Sequence, residues 1–177
     1  AVLDWLRQML GLPEQFWGII YDTASISTFH ALAAARQSLQ GWDSRKLGLC
    51  GMNRRLRAYA SEQAHSSVDK AALALGIGLE GVRKIGVDNE FRMRPDLLHQ
   101  AIEEDLRAGW WPFCVTATVG TTSTTSVDPV GEIAPICRKF GLWLHVDGAY
   151  GGPAAVVPEL KWVLDGCGAA DSIVVNP

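Results

Sequence analysis

A single carboxylate stands where an apolar stretch of the chain ends. Residues 142–152 read LWLHVDGAYGG, so Asp147 closes a run of strand-forming residues and a turn of small residues follows. This is typical of a buried strand that delivers one acid to the carboxyl edge of an α/β sheet, where such folds bind ligands. Burying a charge is costly unless it faces a partner, such as a fixed cation or a protonated ring nitrogen. The alternative is that Asp147 only caps the turn.

His145 precedes Asp147 by two positions, which in a strand places both side chains on the same face. Metal binding by this pair would need further ligands, and no third ligand stands out in the sequence. We therefore expect no metal site here.

The segment Thr23-Ala24-Ser25 follows apolar residues and opens an alanine-rich stretch of helical character. Backbone N–H groups and a serine hydroxyl at the N-terminus of a helix form an anion site that suits a phosphate group. The simpler interpretation is ordinary capping of the helix by Thr23 or Ser25. These residues alone leave both interpretations open.

Two further polar segments follow predicted strands. Residues 120–125 read GTTSTT, and their hydroxyl groups, including that of Thr122, either contact a ligand at the sheet edge or form a plain polar loop. His65 lies in SEQAHSSVDKA, between a predicted strand and a predicted helix. Its imidazole could lie against a flat aromatic ligand or exchange protons near neutral pH. An exposed or capping histidine is the commoner case.

Composition bounds the class of protein. The chain has 177 residues, 48% of them hydrophobic and 20% charged, which is enough for one domain with a sizeable core. A net charge of -3 argues against a nucleic-acid binder. No apolar run reaches membrane-spanning length, and the lack of a secretory pattern favours the cytoplasm. The four widely spaced cysteines are expected to be reduced core thiols rather than a disulfide framework.

Helical and strand patterns alternate along the chain, which predicts a largely parallel sheet with covering helices. The predicted helices span residues 4–10, 23–39, 67–75, 95–108, 129–140 and a short 160–164. The predicted strands span residues 17–21, 56–60, 82–87, 113–119, 142–146 and 172–175.

Six segments of the chain resemble the pyridoxal-phosphate-dependent group II decarboxylases of the aromatic L-amino acid decarboxylase type. They are DWLRQMLGLP, DTASISTFHALAAAR, YASEQAHSSVDKA, ATVGTTSTTSVDPVGEIAPIC, LWLHVDGAYGGPA and ADSIVVNP, in the family's order. One such segment would be weak support, whereas six in order are strong support. The resemblance implies an α/β fold, the large domain of the fold-type I pyridoxal-phosphate enzymes, with a mostly parallel sheet and flanking helices.

The resemblance also assigns roles to the polar positions. Ala24 and Ser25 would hold the phosphate of pyridoxal 5'-phosphate at the helix N-terminus, with help from Asn176. His65 would stack on the pyridine ring. Thr122 would contact the ring region or a phenolic substituent of the bound substrate.

Asp147 would pair with the protonated pyridine nitrogen, and Ala149 would pack on the other face of the ring. This supplies the cation that a buried Asp147 needs. It also keeps the ring protonated, so that the ring accepts the electrons left behind as carbon dioxide departs. His65 and Asp147 are therefore the expected catalytic residues.

The chain departs from the resembling family in length and at individual positions. In that family the Schiff-base lysine follows an Asn-Pro-His run, whereas this sequence ends at Asn176-Pro177 and none of its five lysines stands in that context. We therefore expect residues 1–177 to be a partial large domain without the lysine segment and the small C-terminal domain. Gly148 stands where alanine is common, and Asp22 brings a negative charge near the phosphate turn.

The expected reaction of the parent protein is decarboxylation of an aromatic L-amino acid to its amine by a homodimer. The alternatives within the family are decarboxylation of glutamate, histidine or an aliphatic amino acid, or formation of an aldehyde. Outside it, the alternative is a non-catalytic α/β module that binds the cofactor or a phosphate. Without the anchoring lysine, the fragment alone is expected to be inactive.

Overall fold

The computed structural model describes residues 1–177 and contains one five-stranded parallel sheet with helices packed against it. The strands are β1 (Leu56–Ser61), β2 (Val82–Ile85), β3 (Trp111–Thr118), β4 (Trp143–Gly148) and β5 (Ser172–Val175). The α-helices are α1 (Val2–Met9), α2 (Ala24–Gln37), α3 (Ser44–Leu47), α4 (Ser67–Ala74), α5 (Pro95–Arg107) and α6 (Val130–Phe140). The prediction of a parallel sheet with covering helices is confirmed.

The strands lie in the order β2-β1-β3-β4-β5, so the direction of winding changes between β1 and β3. In open α/β sheets, ligands bind outside the carboxyl ends of the strands at such a reversal. The register sets Thr118 of β3 beside Asp147 of β4, and Asp147 beside Val174 of β5. Topology therefore places the predicted acid close to the edge where a ligand is expected.

Two apolar clusters sandwich the sheet because side chains alternate along each strand. On one face, α2 and α4 pack against β1 through a cluster that includes Leu32, Val68 and the small residues Ala58 and Ala60. On the other face, α5 and α6 contribute to a larger cluster, whose strand members include Tyr59, Val115, Ala117, Leu144 and Val146. Both clusters fix strand positions, and with them the loops at the carboxyl edge.

A buried ion cluster joins α5 to β1 and β2. Asp105 of α5 is buried and forms ion pairs with Arg57 at 3.1 Å and with Arg83 at 3.2 Å. The hydroxyl of Tyr59 donates to the same carboxylate at 3.0 Å. Asp105 is thus a buried acid that is fully paired within the protein, as expected for a structural role.

Some sequence expectations were wrong in detail. Residues 17–21 form no strand, because this apolar segment pairs with none of the five strands, and Trp17 is 92% exposed. Helix α3 and three 3-10 segments were not predicted, and the short helix expected at 160–164 is a fourth 3-10 segment, Pro158–Leu164. Cys50 is exposed, whereas the other three cysteines are buried and free as expected. None of the helices is both long and apolar enough to cross a membrane.

Candidate functional site

Five of the predicted site residues lie at or just after the carboxyl ends of strands. His65 lies in the loop between β1 and α4, Thr122 in the loop after β3, and Asp147 near the end of β4. Ala149 follows β4, and Asn176 directly follows β5. Helix α2 begins at Ala24 and packs against β3, β4 and β5.

Asp147 is a buried carboxylate with little support from the protein. It is 7% exposed, and its one hydrogen bond comes from the backbone N–H of Ala149, at 3.2 Å from Oδ1. Burial raises the pKa of Asp147, while the Ala149 N–H and the nearby charge of His65 offset part of this rise. No lysine or arginine pairs with it, in contrast to Asp105. Asp147 is therefore suited to face a cation that the protein itself does not supply.

His65 shares this site with Asp147. Its ring is exposed, and Nδ1 accepts a hydrogen bond from the backbone N–H of Ser67 at 3.2 Å. Because Nδ1 accepts, the neutral ring carries its proton on Nε2. The exposed imidazole is thus held at the start of α4, and in its protonated form it lies close enough to Asp147 for its charge to lower the pKa of the acid.

The N-terminus of α2 has free hydrogen-bond donors. Thr23 caps the helix, since its Oγ1 accepts from the N–H of Ile26 at 3.3 Å and its carbonyl accepts from Ile26 and Ser27. The N–H groups of Ala24 and Ser25 and the Ser25 hydroxyl have no partner within the protein. Capping and anion binding are therefore divided between neighbouring residues. Asp22 is exposed and forms no ion pair.

The hydroxyl-rich loop is closed by its own hydrogen bonds. The buried Thr121 places Oγ1 2.6 Å from Oγ1 of Thr124 and accepts from the N–H of Ser126 at 3.0 Å. Thr122 is exposed and makes no side-chain hydrogen bond. Most hydroxyl groups of the loop therefore form hydrogen bonds within the loop, whereas that of Thr122 is free to contact a ligand.

Two glycines allow the loops after β3 and β4 to touch. The N–H of Gly151 donates to the carbonyl of Val119 at 3.0 Å. Gly120 has φ +83°, and a Cβ added there would lie 2.7 Å from the nitrogen of Gly151. The positive φ and this close approach both require glycine at position 120. The loop that carries Thr122 is thereby held against the segment that carries Ala149.

The imidazole of His145 contacts β5. Its Nδ1 lies 2.9 Å from Oγ of Ser172 on β5, and the ring is buried. Burial lowers the pKa of His145 to about 4, so the ring is neutral at physiological pH. It belongs to the packing between the sheet and its covering layer.

Sequence reasoning missed Asp128, which is as buried as any residue of the site. Its two carboxylate oxygens accept backbone hydrogen bonds from Met93 at 2.7 Å and from Thr118 at 2.8 Å. The available signal was an acid within a strand-to-helix connection of otherwise apolar and hydroxyl residues, SVDPV.

Comparison with known proteins gives consistent matches over the whole chain. The family described as "Pyridoxal-dependent decarboxylase conserved domain" matches residues 1–177. The aromatic-L-amino-acid decarboxylase of Bos taurus is 45% identical, covering 100% of this chain and 38% of the bovine one. The histidine decarboxylase of Mus musculus is 43% identical, covering 99% of this chain and 28% of the mouse one.

Solved structures agree with the sequence matches. Mouse CSAD superposes with a TM-score of 0.93 at 36% identity, covering 99% of this chain and 37% of that one. Oryza sativa TDC with PLP and tryptamine gives a TM-score of 0.89 at 38% identity, again over 99% of this chain and 37% of that one. The predicted fold class, that of the fold-type I pyridoxal-phosphate enzymes, is confirmed. The chain spans less than two fifths of the length of these relatives.

If the carboxylate of Asp147 serves to bind a ligand and does not stabilise the fold, then Asp147→Asn will stabilise the cofactor-free protein at pH 7. The expected gain in unfolding free energy is on the order of 1 kcal/mol, because a neutral amide loses less on burial. The folded pKa of Asp147 is raised above 3.8, so its stabilising contribution is present below that pH and is lost as pH rises through the folded value. Chemical denaturation at pH 4 and pH 7 measures this.

The gain from Asp147→Asn should therefore shrink toward pH 4, since the wild-type acid is then protonated. Asp105→Asn is the control and should destabilise the protein, because it leaves two arginines without their partner. A loss of stability with Asp147→Asn at pH 7 would show that the carboxylate supports the fold.

The contact between the two loops predicts a specific cost for a side chain at Gly120. Gly120→Ala and Gly109→Ala both place alanine at φ +83°, but nothing lies within 4 Å of a Cβ at Gly109. We expect Gly120→Ala to lower the unfolding free energy by about 1 kcal/mol more than Gly109→Ala, because the clash adds to the backbone strain. Urea denaturation of the two variants measures the difference, and equal losses would contradict the contact.

Proposed function

This chain belongs to the pyridoxal-dependent decarboxylase family, and on that premise we propose that the protein binds pyridoxal 5'-phosphate at the carboxyl edge of its sheet and decarboxylates an amino acid. The observation that carries the proposal is Asp147, a buried acid that forms no ion pair with a side chain of the protein. Residues 1–177 would be part of the large cofactor-binding domain of the whole protein.

The residues present fit this cofactor at both of its charged ends. The free N–H groups of Ala24 and Ser25 and the Ser25 hydroxyl suit the phosphate, with the positive end of the α2 dipole behind them. Asp147 suits the protonated ring nitrogen. Asn176, exposed after β5, would add a contact to the phosphate.

The side chains between these two ends would hold the ring. The open face of His65 suits stacking on one side of a pyridine ring, and Ala149 would pack on the other side. Thr122, in the loop after β3 that its own hydrogen bonds stabilise, would contact the ring region or the substrate. Both sides of the ring would thus be shielded from water.

When bound, pyridoxal phosphate supplies an electron sink for the electron pair that remains after carbon dioxide leaves. The task of this chain's residues is to keep that sink effective. The carboxylate of Asp147 would hold the proton on the ring nitrogen, and its burial makes this ion pair stronger than in water. The donors of α2 would fix the other end of the molecule and so orient the bond that breaks.

The proposed substrate is an aromatic L-amino acid, which would give the corresponding amine. It is supported by the 45% identity to the bovine aromatic-L-amino-acid decarboxylase and by the stretch QAHSSVDKA around His65. Histidine is the second candidate, because the histidine decarboxylase of Mus musculus is 43% identical over the same region.

The test measures carbon dioxide release by the whole protein loaded with cofactor, from aromatic L-amino acids, L-histidine and L-glutamate. We expect the highest kcat/KM with an aromatic substrate. We expect Asp147→Asn to keep part of the cofactor but to lower kcat by about 100-fold or more, because an amide does not hold the ring proton. His65→Ala should weaken cofactor retention and slow the reaction.

Asp105→Asn, which removes an equally buried acid from the ion cluster, should leave kcat within about twofold. Near-normal turnover with Asp147→Asn would remove that residue from the proposal. Binding of cofactor without release of carbon dioxide from any substrate would favour the non-catalytic module instead.

We also propose that the whole protein is a homodimer, as the resemblance implies. The N-terminal region exposes an unusual number of large apolar side chains: Trp5, Trp17, Ile19, Ile20 and Ile26. Such an accumulation is typical of a surface that another protein covers.

Charge placed in this region should weaken the dimer. For the double variant Trp17→Ser with Ile20→Lys, we expect sedimentation to show at least a tenfold higher dimer dissociation constant, because an ammonium group would be buried at the interface. Leu73→Lys, at an exposed apolar position on α4, is the control and should not change the dissociation constant. An unchanged dimer in the double variant would place the interface elsewhere.

A further inference from the structure

Asp128 is a buried acid for which the proposed reaction has no role. It is 2% exposed and has no cationic partner. Each carboxylate oxygen instead accepts one backbone N–H, Oδ1 from Met93 and Oδ2 from Thr118. Burial raises the pKa of Asp128 to about 6, against the lowering effect of these two donors, so it is ionised at neutral pH. Because burial disfavours the charged form, we expect the carboxylate of Asp128 to have a specific structural or functional role.

The two donors of Asp128 come from segments that lie on opposite sides of β1. Thr118 ends β3, while Met93 lies in the segment after β2, where Val87 and Met93 form an isolated bridge. In the sheet, β1 lies between β2 and β3. One side chain therefore ties together the segments on either side of β1, the strand that leads to His65.

Asp128 also closes the base of the hydroxyl-rich loop. Its own N–H donates to the carbonyl of Thr118 at 2.9 Å, and Val119 and Val127 form an isolated antiparallel bridge just beyond. Residues 118–128 thus form a loop that begins and ends beside the end of β3. Asp128 is held there by hydrogen bonds of both its main chain and its side chain. Thr118, the residue held by Oδ2, lies beside Asp147 in the register of β3 and β4.

We propose that Asp128 is a positioning residue that fixes the end of β3, so that the loop carrying Thr122 and the adjacent Asp147 keep the geometry that the cofactor requires. This inference rests on the proposed function. The role needs two acceptors on one short side chain, which aspartate offers. Asparagine has the same shape but offers one acceptor oxygen and places an NH2 group against a second N–H donor.

The experiment compares Asp128→Asn with Asp105→Asn in the whole protein. Both variants exchange a buried carboxylate for an amide, but Asp105 lies in the ion cluster on α5 and touches no residue of the site. The first readout is the dissociation constant of pyridoxal 5'-phosphate, measured by titration of the cofactor-free protein. The second readout is amide hydrogen exchange of residues 93 and 118–127, measured without cofactor.

With Asp128→Asn we expect the dissociation constant to rise at least tenfold and the amides of the loop to exchange at least tenfold faster. With Asp105→Asn we expect less than a twofold change in the dissociation constant. A variant that does not fold is replaced by Thr121→Val, which removes the hydrogen bonds to Thr124 and Ser126 but leaves the buried acid intact. It should raise the dissociation constant by several-fold.

Equal effects of Asp128→Asn and Asp105→Asn on cofactor affinity would overturn the positioning role, as would unchanged exchange in the loop. If the wild-type protein does not bind pyridoxal 5'-phosphate at all, the proposed function fails. The exchange readout still tests whether Asp128 fastens the loop, since it uses no cofactor.

Discussion

A carboxylate removed from water needs hydrogen bonds or a positive charge in return, and Asp147 receives one hydrogen bond from this protein. The chain contains two instructive contrasts. Asp105 is equally buried but has two arginines and a tyrosine hydroxyl, and Asp128 has two backbone donors. Among these buried acids, Asp147 has the least support. A cationic ring nitrogen would supply what it lacks.

The rest of the carboxyl edge is consistent with a ligand that is cationic at one end and anionic at the other. The free donors at Ala24 and Ser25 belong to α2, which packs against β3, β4 and β5. An exposed imidazole and an exposed threonine lie on the loops after β1 and β3, which internal hydrogen bonds hold. Rigid positioning comes from the two apolar clusters and from contacts such as that between Gly120 and Gly151.

Much of the fold is predictable from the sequence because the patterns are local. The apolar run before Asp147 and the alanine-rich stretch after Thr23 predict a strand and a helix, and both form close to the predicted positions. The segment 17–21 has the same apolar character but forms no strand. Strand formation depends on a neighbouring strand, and the sequence of one segment does not contain that information.

The same difference between local patterns and long-range contacts applies to the residues of the site. Asp147 and the α2 N-terminus are visible in the sequence, because strand and helix ends carry recognisable residues. Asp128 is not, since its role depends on donors 35 and 10 residues away in the chain. The same holds for Gly120, whose requirement for glycine depends on Gly151 in another loop. Long-range contacts of this kind become visible only when the chain is folded.

The most direct test of the role of Asp147 is a titration of its own carboxyl group. Carbon-13 NMR of the labelled side chain would follow its protonation in the whole protein, first without and then with pyridoxal 5'-phosphate. Without cofactor we expect a pKa above 3.8, and with cofactor a clear fall in this pKa as the cationic ring nitrogen pairs with the acid. A pKa that starts at or below 3.8, or that does not change on binding, would contradict the assignment of Asp147 as the partner of the ring.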